Sequence, residues 1–283
     1  FLIKLLTDRD EFVRSRVQEQ LIDLGEDALP FLEIAVRGGD DDLRIQANAV
    51  IQSILPQKLA EKFRQLAQKG LGQDIDLETG MMLIMEFGYP NSDPEEFRQK
   101  LDELAQNFAD ILNPEAEPPE IVAAFTHFLF QHKGFKGNKD DYQNPDNSFL
   151  NKVLDNQTGL PITLSAICVL LAKRLNLPIV GVGMPGHYIV KYSLPIEPIY
   201  FDPFHQGRLL TKKECIQIVE QFGHSFEEHF LSQATQRETL IRMLNNLIQV
   251  YKKSNETKKA ETLAEYIKIL LNPSKDQQSE RTH

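Results

Sequence analysis

Apolar positions over the first seventy residues recur at helical spacing, and the pattern comes twice. Asp10, Val13, Arg14 and Val17 are echoed thirty residues on by Asp40, Leu43, Arg44 and Ala47, and Leu21 is echoed by Ile51. Between the copies, the stretch from Gly25 to Pro30 breaks the helix and opens a new apolar face. A helix–turn–helix unit repeated in this way predicts an α-solenoid, in which each unit buries its face on the next. Gly70-Leu71-Gly72 ends the pattern, so a helical-repeat domain is expected over residues 1–72.

The middle of the chain is built differently. A short apolar helix is expected over 77–87. Asp93 is a candidate N-cap, with Pro94 at the first helical position and Glu95 and Glu96 in the first turn. The helix it starts carries Phe97, Leu101, Leu104 and Phe108 on one face. Pro114, Pro118 and Pro119 mark a linker, 121–130 reads as a buried helix, and 133–147 is dense in Gly, Asn, Asp and Lys, as loops are. After a short helix at 147–154, Gly159-Leu160-Pro161 opens one that runs to Leu175 and is apolar nearly all round. Such a helix is central and covered by other elements. The period then shortens to that of strands at 178–184, 187–192 and 198–202. Helices return at 211–222 and, as a pair joined near Ser254-Asn255-Glu256, between 235 and 271.

This order predicts an α+β protein, predominantly helical. A core over 73–232 holds one central helix and a short antiparallel sheet. Solenoid-type helices flank it, with a helical pair at 233–272, and the polar residues 273–283 are expected to be disordered.

Charge and cysteine usage narrow the function. The 283 residues include 41 acidic and 31 basic ones, a net charge of −10, which argues against nucleic-acid or anionic-membrane binding by bulk charge. No run of 18 apolar residues is present to suggest a membrane helix. Cys168 and Cys215 are too few for a disulfide framework or a cysteine-only zinc site, so a reducing, cytoplasmic setting is expected. The chain opens on Phe1, which reads as a start that lies upstream.

Candidate chemistry sits in the centre. Gly186-His187-Tyr188 begins one predicted strand and Phe201-Asp202-Pro203-Phe204 ends another. Adjacent antiparallel strands place such a His and Asp side by side, and the carboxylate then fixes the imidazole tautomer and stabilises its protonated form. The helix start at 159–165 offers a third element, because a thiolate is favoured at the positive end of a helix.

Several motifs together resemble the SirB-type transglutaminase-like family, whose members are often labelled regulators of sirC expression. They are Phe135-Lys136-Gly137-Asn138, Asn147-Ser148-Phe149-Leu150, Gly159-Leu160-Pro161-Ile162-Thr163-Leu164, the stretch from Gly181 to His187, and Phe201-Asp202-Pro203-Phe204. The resemblance covers roughly residues 77–271. It implies a papain-like fold with a catalytic Cys at the helix start, then His, then Asp. His187 and Asp202 match the last two positions as a retained dyad. No cysteine stands in the first, which falls at 161–163. The family also carries a C-terminal tetratricopeptide-like unit, which Asn246, Leu247, Tyr251, Ala260 and Pro273 fit, and the N-terminal repeats look like HEAT units. In HEAT units the turn Asp and the following Arg bind neighbouring repeats together.

Three readings of the core stay open. Thr163, Ser165 or Cys168 serves as a non-standard nucleophile for a hydrolase or acyltransferase acting on amides or esters. The His187–Asp202 pair is a structural remnant in a protein-interaction or regulatory scaffold. Or the pocket binds a ligand or peptide without turning it over, with Asn138, Asn147 and Gly186 as candidate binding positions. The 133–146 loop would form a wall or lid of that pocket. His205 reads as a turn residue, His224 and His229 lack the spacing of a metal pair, and Lys252, Lys253, Lys258 and Lys259 read as a solvated face. No metal or cofactor is expected. Partners are expected to be proteins bound on the helical repeats, with no nucleic acid and no membrane.

Overall fold

The computed structural model describes residues 1–273. The tail expected at 273–283 falls, apart from Pro273, outside the described residues. Three helices, α1 (Glu11–Asp23), α2 (Leu29–Gly38) and α3 (Asp41–Lys69), make up the N-terminal part. The thirty-residue echo has a plain structural basis. Asp10 and Asp40 are the N-caps of α1 and α3, accepting from the N–H groups of Phe12 and Leu43. Val17, Leu21, Ala47 and Ile51 meet in one apolar cluster. The arginines behave otherwise than the HEAT resemblance implies. Arg14 donates to the carbonyls of Asp8 and Arg9 and Arg44 pairs with Asp41, so each stays within its own turn.

Helix α3 joins this cluster to the main core. Its first half packs Ala47, Val50, Ile51 and Ile54 into the N-terminal cluster. Its second half packs Leu55, Leu59, Phe63, Leu66 and Ala67 into the larger one. Pro56 lies inside the helix, where it lacks a donor. Its carbonyl accepts from Tyr266 Oη at 3.1 Å.

The centre begins with α4 (Leu77–Gly88), α5 (Pro94–Ala109) and α6 (Pro118–Thr126), the last continuing as a π-helical turn over His127–His132. A two-residue parallel pair, β1 (Lys136–Gly137) and β2 (Thr158–Gly159), brackets α7 (Leu150–Asn156) and ties the 138–147 loop to the start of α8 (Pro161–Leu175). The main sheet is a four-stranded antiparallel meander of β3 (Ile179–Val182), β4 (Ile189–Tyr192), β5 (Ile199–Asp202) and β6 (Arg208–Leu210), in that order. The chain ends with α9 (Lys212–Gln221), α10 (Gln236–Lys253) and α11 (Thr257–Leu271).

Period-two alternation places the sheet. Ile179, Val190 and Phe201 join the main core with α8, whereas Val182, Ile189, Tyr200 and Leu210 pack with Cys215 and Val219 of α9. Both faces are therefore covered. The predicted central helix is buried on nearly every side, from Pro161 to Cys168 and again from Leu170 to Ala172. The last strand, β6, was not expected from the sequence: it has three residues and two of them are exposed, so it shows no alternation. At the far end of α8, Arg174 pairs with Glu78 of α4 at 2.7 Å and Asp102 of α5 at 2.6 Å, which fixes the helix against its neighbours.

Candidate functional site

His187 is delivered by a turn whose conformation is closely determined. Gly186 has φ +75°, a left-handed value, and a Cβ there would lie 2.1 Å from the ring of Phe222. From α10, Arg242 donates to the carbonyls of Met184 at 2.8 Å and His187 at 3.0 Å. Its guanidinium also sits over the ring of Tyr188, whose hydroxyl shares a 2.7 Å hydrogen bond with Thr239.

Asp202 ends β5 and is 2 % exposed. One carboxylate oxygen, Oδ1, accepts from the backbone N–H groups of Phe204 and His205 and so caps the short turn Pro203–His205. The other, Oδ2, lies 2.8 Å from His187 Nε2 and 2.8 Å from His205 Nδ1. Burial pushes this carboxyl up, but the hydrogen bonds and charges of His187 and then His205 outweigh it and leave it below the ordinary carboxylate range. An ionised Asp202 thus takes a donor from each of two imidazoles. His205, read from sequence as a turn residue, is a third member of the site. Its spacing from Asp202 was visible, but only the turn after β5 brings its ring back onto the carboxylate.

These three residues line an open cavity of about 680 Å³. Nδ1 of His187 makes no hydrogen bond to a described residue. The cavity wall contributed by α8 is Pro161, the first residue of the helix. Thr163, Ser165 and Cys168 are buried in the body of α8 and do not line the cavity. The hydroxyls of Thr163 and Ser165 have no hydrogen-bond partner among the described residues. Burial pushes the Cys168 thiol far up and the Cys215 thiol up to about 11, the latter helped by Glu214. Neither thiol is therefore activated at neutral pH.

The candidate binding positions separate. Gly186 lines the cavity. Asn138 and Asn147 spend their amides within the loop: Asn138 Nδ2 donates to Asn147 Oδ1 at 2.9 Å, and Asn147 Nδ2 donates to the Asp141 carbonyl at 2.7 Å. They shape the loop, and through it Tyr142 forms part of the cavity wall. His229 pairs with Glu227 at 3.2 Å, and neither it nor His224 belongs to a group of three such ligands among the described residues. Among the described residues, the one group of three His, Cys, Asp or Glu side chains with the spacing to hold an ion is His187, Asp202 and His205. Likewise among the described residues, no helix is long and apolar enough to cross a membrane.

A helix start, a histidine on the turn that leads into one strand and an aspartate that ends the next, meeting at one cavity, are the arrangement of a transglutaminase-like domain. Residues 95–245 match the transglutaminase-like superfamily, and the chain belongs to it. Among curated proteins, a UPF0162 protein of Xylella fastidiosa strain 9a5c is 33 % identical over 209 residues, covering 70 % of this chain and 73 % of that protein. A UPF0162 protein of Pseudomonas aeruginosa is 27 % identical over 170 residues, covering 59 % of this chain and 62 % of the relative. Mouse F-box only protein 21 is 27 % identical over 166 residues, covering 56 % of this chain but only 26 % of its own length. No solved structure matches the chain.

Proposed function

We propose that this protein is a binding and regulatory scaffold built on a transglutaminase-like domain that has lost acyl transfer. The observation that carries the proposal is Pro161. It stands at the helix start, on the cavity that His187 lines, and offers no nucleophilic atom. Without one, the His187–Asp202 pair has nothing to activate. The buried thiols cannot take over, because a thiolate there would be stripped of solvent.

The helical flanks carry the partner surfaces. On this reading the N-terminal helices are HEAT-like, α10 and α11 form a tetratricopeptide-like pair, and the whole is a SirB-type regulator acting on protein partners in the cytoplasm. Phe12, Phe31, Ile34 and Ile45 are large apolar side chains left exposed on α1, α2 and α3, as expected of a surface that meets another protein. Lys252, Lys253 and Lys258 are exposed on the last two helices, while Lys259 pairs with Glu256.

The test is chemical. The native full chain is exposed to iodoacetamide and to an electrophilic ester probe, digested and mapped by mass spectrometry. The expected result is no modification at Thr163, Ser165 or Cys168 until the protein is unfolded. Rapid native labelling at any of them, abolished by His187→Ala in a folded variant, would overturn the proposal in favour of a hydrolase or acyltransferase.

A further inference from the structure

We propose that His187, Asp202 and His205 form a binding site for a zinc-like divalent transition-metal ion. This goes beyond the scaffold reading and does not depend on it. The three donor atoms, two imidazole nitrogens and one carboxylate oxygen, all lie within 4.8 Å of one another. Both imidazoles direct a ring nitrogen at the same oxygen, Asp202 Oδ2, at 2.8 Å. The two ring nitrogens therefore gather around one carboxylate oxygen, which puts three donor atoms of different side chains side by side.

The donor chemistry selects the ion. Two imidazoles and one carboxylate suit zinc, copper, iron or nickel, whereas calcium and magnesium take mostly oxygen ligands. Three protein ligands with an open fourth position are the usual set of an accessible zinc site. Here the open position faces the cavity that all three residues line.

An ion would replace the two His–Asp hydrogen bonds, so both rings must turn away from the oxygen as well as move. Ligands about 2.0–2.2 Å from a tetrahedral ion sit roughly 3.3 Å from each other. The two His–Asp separations must open by about half an ångström and the two imidazoles must close. The His205 side chain is 46 % exposed and stands at the cavity, so it has room to move. Oδ1 of Asp202 is held by the Phe204 and His205 N–H groups, so Oδ2, now shared by the two imidazoles, is the oxygen left to meet an ion. Such bonds orient a ligating carboxylate. An imidazole that binds through the nitrogen facing Asp202 carries its proton on the other ring nitrogen. The nearest cation in the cavity wall, Arg208, is neutralised by an ion pair with Glu214, so it does not oppose a metal charge.

The experiment titrates the untagged full chain with Zn²⁺ by calorimetry and with Co²⁺ by visible absorption, using Mg²⁺ and Ca²⁺ as controls. The expected result is one Zn²⁺ per chain with micromolar or tighter affinity, and a Co²⁺ spectrum typical of four-coordinate nitrogen and oxygen ligation. His205→Ala removes a half-exposed side chain and is expected to fold with a single cooperative metal-free transition; it should weaken Zn²⁺ binding at least about tenfold. Asp202→Asn, where it folds, should weaken Zn²⁺ binding likewise. A double variant, His224→Ala with His229→Ala, should bind as the parent does. Absence of Zn²⁺ binding, binding unchanged in His205→Ala, or binding lost in the His224/His229 double variant would each overturn the site.

Discussion

Pro161 and His187 line one cavity, the first from the start of α8 and the second from the turn that leads into β4. The relationship matters because Asp202 still holds His187 by Nε2, leaving Nδ1 without a hydrogen bond to a described residue. On the proposed reading the His–Asp frame is kept and the nucleophile is what is missing. Pro161→Cys should therefore restore a reactive thiol. The introduced sulfur would sit at the positive helix end beside an imidazole held by a carboxylate, and each lowers a thiol pKa below its ordinary value of about 8.5. Alkylation rates followed against pH should show a midpoint well below that value, moving upward in the double variant with His187→Ala. A midpoint unchanged by His187→Ala would mean that the two positions do not communicate.

Arg242 reaches the site from α10, and among the described residues it donates to the carbonyls of Met184 and His187. Burial pulls its pKa down, and no carboxylate balances it among the described contacts. Removing it leaves two carbonyls short of donors, at a cost of about 1–3 kcal/mol. Arg242→Ala should lower the urea midpoint accordingly. Arg242→Lys should recover only part, since an ammonium cannot bridge two acceptors with a rigid fork. As a positioning effect, Arg242→Lys in the Pro161→Cys background should also slow alkylation.

Much of the fold was legible because its signals are local. Asp93 reads as a cap and is one, and the repeated Asp10 and Asp40 are caps too, each accepting from an N–H two or three residues on. The apolar circumference of α8 announced its burial, and the runs containing Ile179, Ile189 and Ile199 carried the strand signal. The site was legible only in part. His187 and Asp202 stood out as a pair, but His205 gains meaning from a carboxylate oxygen shared in space, which spacing does not reveal. Arg242 lies fifty-five residues beyond His187 and bonds to backbone carbonyls, which leave no trace in residue identities. Asn138 and Asn147 looked like ligand-binding amides because the same polar groups serve a ligand or a loop equally well.

Arg174 offers a test of how burial scales an ion pair. Its bond to Glu78 is sheltered, with side-chain exposures of 18 % and 13 %, whereas Asp102 is 65 % exposed. Burial pulls the Arg174 pKa down, but the hydrogen bonds and charges of Glu78 and Asp102 outweigh it, so it stays charged. Breaking the sheltered arm by Glu78→Gln should cost about 1–3 kcal/mol, since it leaves a poorly solvated guanidinium less compensated. Asp102→Asn should cost under about 1 kcal/mol. A double-mutant cycle with Arg174→Met, read by urea unfolding, should give the larger coupling to Glu78; equal couplings would contradict the burial argument.

Asp76 gives the pH dependence a sign. It caps α4 by accepting from the N–H and hydroxyl of Thr79, and it pairs with Lys173 of α8 at 2.8 Å. Burial pushes its carboxyl up, but the Lys173 and Thr79 hydrogen bonds outweigh this and hold it below its ordinary value. A group whose pKa is lower folded than unfolded stabilises the fold fully above the unfolded value, about 3.9, and loses that contribution as pH falls through the folded value. Asp76→Asn keeps a capping oxygen and removes the charge. The variant should therefore be less stable than the parent at pH 7 by about 0.5–1 kcal/mol, a figure held down by the solvent exposure of the pair. The gap should close as the pH drops below about 4. Lys173→Met should shrink the same gap at neutral pH, and added salt should narrow it further. Urea midpoints of the variants at pH 7, 5 and 3 decide the matter, and a gap constant across that range would show that Asp76 acts through its cap alone.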